Sequence, residues 1–298
     1  MKKIITSILI LLTVVTSFYS CRKNDNPKLP EGIQTGVFPL LTQDPNGDEL
    51  IQDVTAFSTA FTLGLYYPNP VPQKMDLQVI MNGNYQVVKT LQANITSFPT
   101  KINVTGTQLA QLFGLTPDQV AVGDDFTIGP DVTLQDGTVI HAFDYYLDGT
   151  TVVPISPYGA DALNNPGANT TLTYAKVCSL DIDSLANVGN GGQLLVQDPD
   201  LVEATYPVTA TVTDSIIKLK GYSEMPNMVL TIRVIPKSQT LVVDKQFLGP
   251  TIDGYSYTNW NVVGTGTVNA CNNTMTLKLT FSVDQGSFAP ITQTVVHP

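Results

Sequence analysis

Histidine is the usual general base of a nucleophilic triad, and this chain has two histidines, His141 and His297. His297 is the penultimate residue, so a Ser-His-Asp device would rest on His141. That residue sits in the alternating run Thr138 to Phe143, where it faces solvent or a neighbouring side chain. Acidic residues are plentiful, but the paired carboxylates of a glycosidase are defined by separation in space, and abundance alone carries no signal. The segment Asp44-Pro45-Asn46-Gly47-Asp48-Glu49 puts oxygen donors at alternate positions, as a calcium loop does. Its glycine falls at the fourth position and no distal glutamate completes the loop, so it reads as a solvated turn. Zinc would want more histidines or free thiols. These residues assign no catalytic group, metal ligand or cofactor, and the expectation is a protein that is not an enzyme.

Aromatic residues offer a different chemistry. Tyr255, Tyr257 and Trp260 lie close together around Gly254 and Asn259. The apolar face of a sugar stacks on such rings, while Asn259 or Asn261 can hydrogen-bond hydroxyls. Tyr255 and Tyr257 share a face if the segment is extended. Two roles stay open for this group: a ligand platform, or an inward face on which Trp260 is the core tryptophan of its domain. Tyr66, Tyr67, Tyr145, Tyr146 and Tyr158 form a second, looser set near loops, with the same two roles open.

Cysteine placement addresses compartment. Lys2 and Lys3, the apolar run Ile4 to Val15, and the stretch Thr16 to Ser20 lead directly to Cys21, the pattern of a bacterial secretory signal ending at a lipobox-like cysteine. Phe18, Tyr19 and Ser20 occupy the lipobox positions and only Ser20 fits well, so plain secretion is the alternative. The apolar run is short of the roughly 20 residues that span a bilayer. Lipid on Cys21 would anchor the mature chain to a membrane without crossing it. The polar, proline-bearing segment Arg22 to Pro30 suits a flexible tether, taken over 21–33. Cys178 and Cys271 remain, and in an oxidising compartment a disulfide is expected; two buried free thiols are the alternative.

The formal charge of −10 rests on 15 basic against 25 acidic residues. Removal of the signal with its two lysines makes it more negative still. Nucleic acid is excluded as a partner, because neutralising phosphates needs clustered Lys and Arg. Charged residues make up only 13% of the chain, and Thr, Asn, Gly and Pro are frequent, the texture of an exported β protein with many turns.

Period-two alternation dominates and predicts an all-β fold of two β-sandwich domains. Over 34–150, the runs Ala56 to Leu65, Met75 to Met81, Tyr85 to Leu91, Asp125 to Ile128, Val132 to Leu134 and Thr138 to Phe143 read as strands of an immunoglobulin-like sandwich. Asn82-Gly83-Asn84 and Asp136-Gly137 mark hairpin turns. One short helix is predicted, capped by Thr105 or Thr107, carrying Leu109, Leu112 and Phe113, and ended by Gly114. Clustered Pro, Gly and Asn between 151 and 174 predict an inter-domain linker. Beyond it, over 175–298, about nine runs beginning at Ala175 to Leu180 and ending at Ile291 to Val296 suggest an antiparallel sandwich or a small barrel. The segment Gly264-Thr265-Gly266-Thr267 marks a bulge or bend.

The signal with Cys21, the segment Thr96-Ser97-Phe98-Pro99-Thr100-Lys101-Ile102-Asn103-Val104-Thr105 leading into Leu109 and Leu112, and the run Gly264 to Val268 ahead of Cys271 resemble outer-membrane lipoproteins of Bacteroidetes. They are similar to the accessory lipoproteins, broadly SusE-like, encoded beside SusC/SusD nutrient-uptake pairs. The resemblance implies a lipid-anchored protein of the outer membrane, at the cell surface or on the periplasmic face, which binds a glycan or other nutrient and serves a SusC/SusD-like complex. It carries over no binding residue. In that phylum Asp-Ser/Thr-aliphatic triplets can be O-glycosylated, which makes Ser184 and Ser215 candidates. A structural or adhesive surface protein, such as a pilus or surface-layer component, is the rival reading.

Replacing Cys21 by Ser is expected to move the protein from the membrane to the soluble fraction. Mass spectrometry of the amino-terminal peptide checks it: acylated Cys21 in the wild type, and no acyl mass in the variant.

Overall fold

The computed structural model describes residues 36–298, so the signal, Cys21 and the tether expected over 21–33 lie outside the described residues. The described chain is built of β-strands joined by short turns. In chain order the first ten are β1 Pro39–Gln43, β2 Ser58–Leu65, β3 Lys74–Met81, β4 Lys89–Ile95, β5 Thr100–Thr105, β6 Asp125–Thr133, β7 Val139–Ile140, β8 Asp144–Asp148, β9 Thr151–Ile155 and β10 Leu172–Ala175. The next nine are β11 Gln193–Asp198, β12 Ala204–Thr213, β13 Ile216–Lys220, β14 Val229–Ile235, β15 Thr240–Gly249, β16 Trp260–Asn269, β17 Thr274–Val283, β18 Gly286–Ser287 and β19 Ile291–Val296.

Two antiparallel sheets face each other in the amino-terminal part. One runs β1-β2-β5 and the other β10-β6-β3-β4, with β7 paired to β6. Leu41, Phe61, Leu63, Ile102 and Val104 from the first sheet meet Met75, Leu77, Val79, Phe126, Ile128 and Val132 from the second in one apolar core. The alternation that predicted strands is the alternation that fills this core. Tyr174 of β10 ties the sheets together: its hydroxyl donates to Gln43 Oε1 at 2.7 Å, and Gln43 Nε2 donates to Thr59 Oγ1 at 2.7 Å. Burial pushes the Tyr174 phenol up to about 12. The helix α1, Gly106–Leu112, is capped by Thr105, whose side chain accepts from Gln108 N–H, and Gly114 follows with φ 72°. At two turns it depends on Leu109 and Ala110 being buried.

Strands β8 and β9 pair only with each other, and β11 to β19 form a meander that closes on itself. Strands β11 to β17 pair in sequence, β19 lies between β11 and β17, and β16 pairs β17, giving an eight-stranded antiparallel barrel with β18 outside it. Of the two architectures expected for this part, the barrel is the one observed. Strand β12 buries Tyr206, Val208 and Ala210 between exposed neighbours, and β17 buries Met275, Leu277, Leu279 and Phe281 in the same way. Such side chains fill an eight-stranded interior.

Gly264 and Gly266 are not bulged. Both glycines keep paired partners on β15 and β17, and the extra residues lie on β15, between Val243 and Gln246 and between Phe247 and Gly249. A Cβ on either glycine would come within 2.3 Å of a β17 carbonyl, Lys278 O or Thr276 O. Glycine lets the two strands coil closely where the barrel turns.

The linker expected over 151–174 is replaced by structure. Residues 151–155 are half of a hairpin, 160–163 form a single helical turn, and 172–175 are the edge strand β10, paired with β6. The first sheet pair therefore runs through Ala175, and the strand expected over Ala175 to Leu180 is a connector. The strand expected over Tyr85 to Leu91 lies later, at Lys89–Ile95, because Asn84 to Val87 turn. Gln52 brackets the connector. It accepts from Leu180 N–H at 2.9 Å and donates to Pro236 O of the barrel at 2.6 Å. Cys178 and Cys271 are joined in the expected disulfide, which fastens the connector to the β16–β17 turn.

One end of the barrel holds a buried polar chain. Tyr222 OH donates to Gln293 Oε1 at 2.6 Å, and Gln293 Nε2 donates to Asp198 Oδ2 at 2.7 Å. Asp198 Oδ1 also accepts from Leu201 N–H at 2.9 Å. Burial raises the Asp198 carboxyl above its ordinary range, against those donated hydrogen bonds. A carboxyl whose folded pKa is raised contributes stability that is complete below its unfolded pKa and is lost as pH rises through the folded one. Asp198→Asn is thus expected to gain thermal stability relative to wild type as pH rises from about 4 to 7. Parallel melting curves check it, and a pH-independent difference rejects it.

Candidate functional site

The predicted aromatic group does come together, but as packing. Trp260 is 0% exposed. Phe288 stacks on it with centroids 5.3 Å apart and planes at 6°, and Tyr255, Tyr257 and Phe281 meet it edge-on. Its Nε1–H donates to Tyr257 O at 3.2 Å. A ring with no free face cannot stack on a sugar, so of the two roles left open for Trp260 the core one is observed. Tyr255 OH donates to Leu201 O at 2.6 Å, and Asn259, at φ 59°, donates through Nδ2 to Asp284 Oδ2 at 2.6 Å. Both polar groups are engaged in holding the loop that seals this end of the barrel.

Other candidates are similarly placed. Lys101 Nζ donates to Asp44 Oδ2 at 2.7 Å, Asp44 Oδ1 accepts from Asn46 N–H, and Asp48 Oδ2 accepts from Ser58 N–H at 3.0 Å. The Lys101 ammonium holds the Asp44 carboxyl below its ordinary value. Among the described residues no group of three or more His, Cys, Asp or Glu is gathered as a metal site would need. His141 Nδ1 lies 3.1 Å from Asp131 Oδ2 at an exposed position, and His297 Nε2 lies 3.4 Å from Leu185 O. Ser184 is exposed in a one-turn helix and donates to Asp181 Oδ2 at 2.6 Å; Ser215 stands in the turn between β12 and β13.

The second aromatic set leads to a cleft. Strand β6 turns Thr127, Gly129 and Asp131 away from the core. At Gly129 a Cβ would lie 3.0 Å from Ala142 Cβ and 3.3 Å from the Phe143 ring, so glycine admits Phe143 onto the sheet. Phe143 meets Tyr85 edge-on at 5.9 Å. Pro154 and Ile155 of the β8–β9 hairpin, followed by Pro157 and Tyr158, form the opposite wall, and Thr127, Thr170 and Thr171 contribute hydroxyl groups. The cleft volume is about 310 Å³, at the small end of ligand sites.

Tyr158 is the distinctive residue. Its ring meets Phe38 edge-on at 5.0 Å, and Phe38 in turn contacts Tyr66 and Tyr67. Its hydroxyl, like those of Tyr206 and Ser223 in the barrel, is buried and has no hydrogen-bond partner, and of the three it alone belongs to a residue lining this cleft. Burial, reinforced by the nearby Asp131 charge, raises its pKa, so at neutral pH it is a phenol able to donate. A buried polar atom without a partner is costly and calls for an explanation, of which a bound molecule is one. Tyr158 belonged to the looser sequence set; Tyr85 and Phe143 did not, because only the fold brings residues 85, 143 and 158 together.

No protein-family model matches this chain, and no curated protein is significantly similar to it.

Trp260→Ala is expected to destabilise the barrel by about 3–5 kcal/mol, the range for emptying a buried large aromatic site. Chemical denaturation checks it; an unchanged midpoint would return Trp260 to the list of surface residues.

Proposed function

We propose that the protein is a lipid-anchored binding protein of the outer membrane that holds a glycan in the cleft walled by Tyr85, Phe143 and Tyr158. The observation that carries this reading is the unpartnered Tyr158 hydroxyl beside aromatic walls and threonine hydroxyls. A sugar presents apolar C–H faces and hydroxyl groups together, and this lining offers a counterpart to each. The strand order β1-β2-β5 facing β10-β6-β3-β4 supports an immunoglobulin-like sandwich as the first domain, with the barrel as the second. Acylation of Cys21 would hold both at the membrane, and the resemblance of the signal and short segments to SusE-like lipoproteins supports service to a SusC/SusD-like uptake complex.

The test is a glycan array followed by calorimetry on the best hit. Tyr85→Ala is expected to weaken binding about tenfold, the loss of one aromatic contact. Tyr158→Phe, which removes only the hydroxyl, should weaken it about fivefold with an unchanged circular dichroism spectrum. An array on which the wild type binds no sugar ends the reading.

A further inference from the structure

The β8–β9 hairpin stands apart from the three larger sheets: each of its strands pairs only with the other. Two strands alone are marginally stable in water. This arm nevertheless leaves Tyr146 54% and Leu147 56% exposed, with Ile155 also in solvent. Its two-residue loop, Gly149-Thr150, makes Asp148 and Thr151 a hydrogen-bonded pair, and Gly149 at φ 63° supplies the left-handed first position. Alternation along the ladder then makes Leu147↔Val152 and Tyr145↔Pro154 non-hydrogen-bonded pairs, whose backbone groups point outward from the arm.

The two outward edges differ. On β9 the outward position 154 is proline, which has no N–H, so that edge is blunted. On β8 both outward groups of Leu147 and the carbonyl of Tyr145 are intact. The Tyr145 N–H is capped by its neighbour, Asp144 Oδ1, at 2.8 Å, where the carbonyl of an added strand would lie.

Charge decides what can add there. Asp144 and Asp148 stand at the two ends of β8, and from Ala142 to Ala175 the chain has no Lys, Arg or His. A second copy pairing β8 to β8 in full register would set Asp144 against Asp148 twice, which disfavours self-association. We propose that the free edge of β8 is a docking site for an extended strand of another protein, one with an apolar centre flanked by basic residues. Backbone hydrogen bonds at Leu147 and at the Tyr145 carbonyl supply the pairing, the exposed Tyr146 and Leu147 side chains supply apolar contact, and the aspartates select the flanking charges. This proposal is independent of the glycan reading, since the cleft is lined by β9 residues and not by β8.

The probe is a synthetic acetylated peptide with the core Lys-Val-Thr-Val-Lys, titrated into the protein and followed by amide NMR. Saturable shifts at Tyr145 and Leu147 are expected. Binding should weaken about fivefold to tenfold for the Glu-flanked peptide, and disappear when the peptide amides facing the edge are N-methylated. The exposed double variant Asp144→Lys, Asp148→Lys should prefer the Glu-flanked peptide. Absence of shifts, shifts confined to other strands, or equal affinity for both flanking charges overturns the proposal.

Discussion

The carboxyl-terminal strand is the closing member of the barrel. Strand β19 pairs with β11 on one side and β17 on the other, so without it the sheet would be an open ribbon with two free edges. Closure also depends on what β19 carries inward. Gln293 is the polar link between Tyr222 and Asp198, and Val295 faces the apolar interior. A buried glutamine is favourable only while both ends of its amide are matched, which makes this strand selective about its register: a slip of one residue would turn Gln293 outward and leave Asp198 and Tyr222 without their shared partner. The polar chain thus specifies a closure that apolar residues alone would permit in more than one register.

The link between the sheet pair and the barrel is of the same kind. Five residues separate Ala175 from Asp181, too few to bury an apolar surface of their own. Gln52 grips them from the sheet side and reaches Pro236 of the barrel, Gln239 Nε2 donates to Cys178 O at 2.7 Å, and the disulfide continues the attachment to Cys271. Three attachments within so short a stretch restrict its backbone far more than its composition would, and the disulfide adds the entropy of closing a long loop in the unfolded chain.

Strands with one face in the core were legible in the sequence because burial imposes a period of two. That held for β3, β12 to β14, β17 and β19. Strands without a clean buried face were not. Strands β8 and β9 expose apolar residues on both faces, and β10 follows directly on a run of Pro, Gly and Asn, so its pattern of four residues was masked by loop chemistry. The disulfide was legible by elimination among three cysteines. Barrel against sandwich was not, since both consist of alternating antiparallel strands and differ only in whether the first strand meets the last.

The site was less legible than the fold for a reason visible at two residues. Trp260 and Tyr158 both stand in Tyr-, Asn- and Gly-rich surroundings, and residue type cannot tell a ring that seals a core from one that lines a cleft. What separates them is the hydrogen-bonding account of the polar atom. Trp260 Nε1 has an acceptor three residues away in its own loop, so local chain geometry satisfies it and the ring can be wholly buried. Tyr158 OH has none, because the turn that places it uses Ser156 Oγ for the backbone of Tyr158 and leaves the phenol facing groups from distant parts of the chain. A satisfied polar atom gives a residue a complete account within the fold; the unsatisfied Tyr158 phenol beside the cleft is what the proposed glycan reading draws on.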